Sequence, residues 1–434
     1  MRNLDPVRCP AMWLSSTFFP VLLVAAISGQ AADPGIGQAP TDPRVELLTI
    51  GQSPEIYHRF GHAALCLVHR REPDNTRCFN YGTADFQSPP QTLGWAFLRG
   101  RARFWVSVQS YEIMLWAYKH DDRDIWIQRI PFTQAQVDRL GALLDHDALE
   151  ENRYYIYHHF DDNCSTRLRD HLDTVSGGAL RRGGDEPMGF TFRQIGRRGL
   201  ADQTGILLAS HFLLGRRMDR QVTRWQAMFH PDHLRAEVAK KLGAEPRQFY
   251  KRKGPALPTE GSQGLGWVVL AAFALALPIL AVRLAERLRP LRLLGLYERL
   301  ALALPALALT IIALGVGFVV VVGRMPEMRW NEALLVFWPT DLLLPILGLP
   351  ARRRYSRIRL SALGLIALGL LTGLLRQPLG APLLLPGLPI ALAAFSWRPS
   401  SGAASAPGAQ AGVPGDSDGG ALPEAEVQSP GQSL

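Results

Sequence analysis

Cysteine is scarce in this chain. Its 434 residues hold four, at positions 9, 66, 78 and 164. That supply allows one disulfide in the body of the chain and leaves an odd thiol over. Standard zinc spacing is also missing. His158, His159 and His171 come nearest to a metal set and fit no zinc pattern. No metal and no cofactor is expected. The formal net charge is +9. Residues 33–260 nevertheless lack a clustered basic recognition element, which argues against a nucleic-acid partner.

Long apolar runs, by contrast, are plentiful. The first, Ala11–Ile27, follows Arg2 and Arg8 and precedes the small residues Gly29, Ala31 and Ala32. Residues 1–31 therefore read as a signal peptide, either cleaved near Ala31 or kept as an anchor. Five further runs lie near 265–282, 300–322, 333–349, 360–375 and 379–395. Each approaches bilayer-spanning length, so residues 265–397 are expected to form a membrane domain of about five helices. Pro339 and Asp341 interrupt the third run, and that charge should face other helices. Residues 244–264 read as a linker and 398–434 as a disordered tail.

Arginine placement sets an orientation. Arg283, Arg287, Arg289, Arg292 and Arg299 crowd the first connection, and Arg352, Arg353, Arg354, Arg357 and Arg359 the third. Cytoplasmic loops carry such excess. Residues 33–243 then lie outside, the side to which the signal peptide also points. The arginines of 181–220 form either a solvated surface or a patch for anionic headgroups.

The exported part offers a thiol and a base. "HAALCLV" and "RCFNYG" read as two strands of a hairpin around Pro73, Asp74 and Asn75, which sets Cys66 opposite Cys78. They form a disulfide or remain two half-buried thiols. Cys164 is left over. Residues 164–176 read as a helix, with Cys164, Leu168, Leu172 and Val175 on one face and Asn163 or Asp162 as its cap. A helix start favours an anion and should depress the thiol's pKa. His62 opens the first hairpin strand and is the candidate base. Asn80, first, or Asp85, second, would orient its ring from the next strand. Residues 132–151 read as another amphipathic helix.

The stretches "FGHAAL", "NYGTADF" and "RYYIYHHFDDNCSTRLRD" resemble the N-terminal periplasmic domain of the Lnb-type bacterial lipoprotein N-acyltransferases. The resemblance covers about residues 45–240. It departs at Ala84, where the family has an aromatic residue. It implies an α+β fold, a permuted papain-like (NlpC-type) periplasmic domain followed by an α-helical membrane domain. It places the nucleophile on Cys164 and the base on His62, with Asn80 and Asp85 in the second-strand motif. Asn163 and Arg167 match the positions flanking the thiol and would contact substrate. The implied partners are a membrane phospholipid as acyl donor and bacterial lipoproteins as acceptors, at the outer face of the inner membrane. Two rival readings stand beside this one. One is a thiol hydrolase acting on cell-wall peptides; the other is a non-catalytic membrane-tethered binding protein.

Overall fold

The computed structural model describes residues 42–87, 89–260, 264–288 and 293–394. The expected signal peptide and tail lie outside these residues. The first part contains β1 (Arg44–Ile50), β2 (His62–Val68), β3 (Arg77–Thr83), α1 (Pro90–Leu98), β4 (Arg103–Ser110), α2 (Tyr111–His120) and β5 (Ile125–Ile130). Next come α3 (Gln134–Ala148), β6 (Tyr154–Ile156), α4 (Cys164–Val175), β7 (Pro187–Thr191), α5 (Phe192–Gly199) and α6 (Thr204–Leu213). The part closes with β8 (Gln221–Thr223), α7 (Arg224–Ala227), α8 (Pro231–Leu242) and β9 (Arg247–Tyr250). The helical remainder is α9 (Leu265–Leu288), α10 (Leu294–Val322), α11 (Ala333–Val336), α12 (Leu349–Leu371) and α13 (Leu384–Ala394).

Seven antiparallel strands form one sheet in the order β6-β4-β3-β2-β1-β5-β9. Strand alternation gives the sheet two apolar faces. Ala63, Leu65, Leu67, Phe79 and Tyr81 pack with Leu140 and Leu144 of α3 and Leu168 and Leu172 of α4. Ala64, Cys66, Val68 and Cys78 pack on the other side with Met114 and Leu115 of α2. The hairpin register sets Cys66 opposite Cys78, and the two are joined as a disulfide. Residues 247–250, expected in the linker, instead form the edge strand β9 against β5. That strand is short and mostly exposed, so it lacks the apolar alternation that marks a buried strand.

The amphipathic reading of 132–151 resolves into α3. Thr133 closes a capping box with Gln136, and Val137, Leu140 and Leu144 are buried.

The helical remainder differs from the five expected spans. Among the described residues, two helices are long and apolar enough to cross a membrane, α9 and α10. Their outward faces carry Trp267, Leu270, Phe273 and Leu277, and Leu300, Leu304, Leu307 and Ile311, all exposed. The third run does not form one helix. It breaks into the four-residue α11 and a 3₁₀ turn at Pro339–Leu343. Asp341 turns inward there, as a charge at that depth must, and forms a two-pronged ion pair with Arg359 at 2.8 Å. Pro339 supplies the break, because a proline cannot donate to the preceding turn.

The two ends of α10 meet different partners. Near its start, Glu298 binds both Arg283 and Arg352, so the two arginine-rich connections share one end. Beyond its other end, Glu327 and Asn331 touch the sheet-containing part. The Gly215 amide donates to Glu327 O at 2.7 Å, and Asn331 Nδ2 donates to Phe212 O at 2.7 Å. Trp95 of α1 stacks on Phe318 of α10 with ring centroids 6.4 Å apart.

Candidate active site

The N-terminus of α4 is fastened by Asn163. Its Oδ1 accepts from the amides of Ser165 and Thr166, both at 2.9 Å. Thr166 Oγ1 answers by accepting from the Asn163 amide at 2.7 Å. The other end of the Asn163 side chain donates to His159 O at 2.6 Å and Phe229 O at 3.0 Å. Every polar atom of this buried side chain therefore has a backbone partner. Asn163 thereby sets the position of the cysteine beside it.

Cys164 is the one free cysteine among the described residues, and it is buried. Its sulfur lies against the backbone of Ala63 and 3.9 Å from Ser165 Oγ. A Cβ on Gly82 would stand 3.6 Å from the Cys164 Cβ and from Tyr157. Gly82 also has φ +89°, so a side chain there would be strained. The cysteine thus meets the sheet where β2 begins and β3 ends.

His62, half-buried, occupies that same corner. Its Nε2 lies 3.1 Å from Asn80 Oδ1. An amide oxygen only accepts, so Nε2 carries the hydrogen and Nδ1 keeps its lone pair. Of the two orienting candidates, Asn80 holds the ring. Asp85 is exposed and accepts from the Gln87 amide at 3.0 Å. No hydrogen bond joins the imidazole to the sulfur in this conformation among the described residues; Ala63, the residue between them, is the link.

The electrostatics reverse one expectation. The helix start should depress the thiol's pKa, yet burial pushes Cys164 up, only partly opposed by the Ala63 and Ser165 contacts. The Ser165 and Thr166 amides donate to Asn163, so the helix start offers the sulfur only part of its donor set. The Cys164 amide remains for an oxygen brought to the sulfur. Burial, then the nearby Arg123, push His62 down to about 4. The resting pair is therefore a neutral thiol and a neutral imidazole.

Arg167 pairs with Asp162 through Nε at 2.5 Å and Nη2 at 2.9 Å, and its guanidinium lies 4.3 Å from the Tyr155 ring centroid. Where the family has an aromatic residue at position 84, this chain gathers rings from β4, α1 and neighbouring loops. Ala84 is buried, and Phe104 stacks on Tyr157 at 4.3 Å, with Phe97 and Phe86 beside them. His158 reaches Glu327 at 3.2 Å, with Asp161 on its other nitrogen. Arg217 joins both carboxylates. His171 is engaged with Asp147 and Tyr81, well accounted for without a metal.

Sequence reasoning missed Tyr118, Arg123 and Tyr157. The Tyr118 ring lies 6.1 Å from His62, and the Arg123 guanidinium 5.0 Å from Tyr118. No motif announces Tyr118 or Arg123, which come from α2 and the turn before β5; Tyr157 lies within the quoted RYYIYHHFDDNC stretch, in the loop before α4.

A free thiol, an imidazole and an orienting amide on an α+β domain make up a thiol–imidazole site. Residues 39–197 match the family model described as the Lnb N-terminal periplasmic domain. No curated protein and no solved structure matches the chain.

Proposed function

We propose that the protein is a membrane-bound, thiol-dependent acyltransferase working at the outer face of the bacterial inner membrane. The reading moves a fatty acyl chain from a phospholipid, through a thioester on Cys164, to the terminal amine of a lipoprotein. One observation carries it: His62 commits Nε2 to Asn80, which leaves Nδ1 as a base on the strand whose Ala63 backbone meets the free thiol of α4.

His62 Nδ1 takes the proton from Cys164 as the sulfur attacks the ester carbonyl. Because both groups start neutral, deprotonation accompanies attack and no standing ion pair precedes it. The Cys164 amide is the donor offered to the developing oxyanion. The ester C–O bond then breaks, and the imidazolium returns its proton to the departing lysophospholipid oxygen. A lipoprotein α-amine next attacks the thioester. His62 accepts the amine's proton, the C–S bond breaks, and the thiol is restored. The exposed apolar belts of α9 and α10 suit a domain that meets its lipid donor within the bilayer.

Incubation of the full-length protein with a phospholipid should add one acyl mass to the peptide containing Cys164. Cys164→Ala should show no such mass and no transfer to a lipoprotein peptide. Persistent transfer by that variant would end the proposal. Cleavage of cell-wall peptides without any acyl intermediate would favour a hydrolase instead.

A further inference from the structure

We propose that Arg123 is the anion-binding residue of the thiol site and grips the phosphate of the lipid donor. This rests on the acyl-transfer reading above.

Seven arginines are buried among the described residues. Arg59, Arg169, Arg193, Arg283, Arg352 and Arg359 each hold a carboxylate. Arg123 is the exception. It is 1% exposed, and its Nε donates to Gly51 O at 2.9 Å. Its Nη2 is buried with no hydrogen-bond partner. A guanidinium does not shed its proton in a protein. A buried cation without a counter-ion is costly, and a fold keeps one only where something else supplies the negative charge.

The position identifies what that is. Gly51, which anchors Nε, directly follows Ile50, the partner of His62 across β1 and β2. The Tyr118 ring lies between guanidinium and imidazole, 5.0 Å from one and 6.1 Å from the other. The Arg123 charge lowers the pKa of His62 and of His58. Asp121 and Glu55 act on Arg123 at a distance without forming an ion pair. The unmatched cation therefore stands one aromatic ring away from the His62 imidazole.

A glycerophospholipid carries its reactive ester and its phosphate on the same glycerol. A thiol and a guanidinium in one site match that pair, and the planar fork suits two phosphate oxygens at once. The acceptor is an amine, which a cation repels, so the anion belongs to the donor.

The test compares two donors on the full-length protein in detergent. One is phosphatidylglycerol; the other is a p-nitrophenyl acyl ester, which has no phosphate. Acylation of Cys164 is read by intact mass and initial rate. Arg123→Gln should lower the preference for phosphatidylglycerol over the ester by at least about tenfold, mainly through KM. Arg123→Lys should recover part of it. Dihexanoylphosphatidylglycerol should slow the ester reaction of the unaltered protein and lose that effect in Arg123→Gln. Equal losses with both donors, or no change in preference, would overturn the assignment. Inhibition by inorganic phosphate as strong as that by the short-chain lipid would assign the site to a free anion and overturn the lipid part. An unaltered protein that reacts with the ester alone removes the phosphate claim and leaves the thiol reactive. One that reacts with neither donor removes the acyl-transfer reading as well.

Discussion

One buried arginine from each half of this molecule shows two treatments of charge: Arg359 is paired and Arg123 is not. In the helical part, Asp341 and Arg359 are wholly buried and answer each other through two hydrogen bonds, with Tyr355 adding a third to Asp341 at 2.7 Å. In the sheet-containing part, Arg123 is just as buried and holds no carboxylate, and Asn80 keeps an unpartnered Nδ2 beside His62. A closed pair serves the fold. An open one serves chemistry, because groups saturated by the protein have nothing left for a substrate.

The strongest way to sharpen this contrast is to remove the sulfur. Cys164→Ala should reduce acyl transfer at least about a thousandfold while leaving thermal unfolding in detergent almost unmoved. Comparable activity in the variant would break the contrast at its centre. Asp341→Ala should do the reverse. It leaves Arg359 buried and unmatched, which costs about 3–5 kcal/mol and should show as a large fall in unfolding midpoint. An unchanged midpoint would mean that the pair is not a structural clamp. Replacing Cys66 and Cys78 together by alanine should cost about 3 kcal/mol, read in the same melt, because the bridge closes a short loop. Asn80→Ala frees the His62 ring and should lower kcat about ten- to a hundredfold with a small change in KM.

The smallest effect is expected from acid. The folded pKa of His62 is near 4, below the ordinary 6.5. As pH falls, the unfolded chain binds this proton first, so stability is lost between about 6.5 and 4. His62→Gln should flatten that part of the pH–melting curve. An unchanged slope would show that the imidazole is not shielded in the fold.

Much of the site was legible because it rests on local chemistry. The hairpin turn at Pro73–Asn75 fixed which residues face each other, and from that came both the Cys66–Cys78 bridge and the reach of Asn80 toward His62. Asn163 as a helix cap followed from residue type and neighbours. The charge state of Cys164 did not, because the helix start and burial act oppositely and only packing decides between them. Hydrophobic runs identified α9 and α10, but overcounted spans at 333–349, where Pro339 and the Asp341–Arg359 pair take the chain into short turns.

By itself the sequence determined the thiol, its cap, the hairpin carrying the base, and the side of the membrane implied by the arginines. These are set by spacing, turn residues and charge bias along a short stretch of chain. Only the tertiary structure decided that Asn80 rather than Asp85 holds the imidazole, that β9 joins the sheet, and that Tyr118 stands beside His62 with Arg123 behind it. Those choices depend on contacts between residues far apart in the chain, and nothing periodic or local records them.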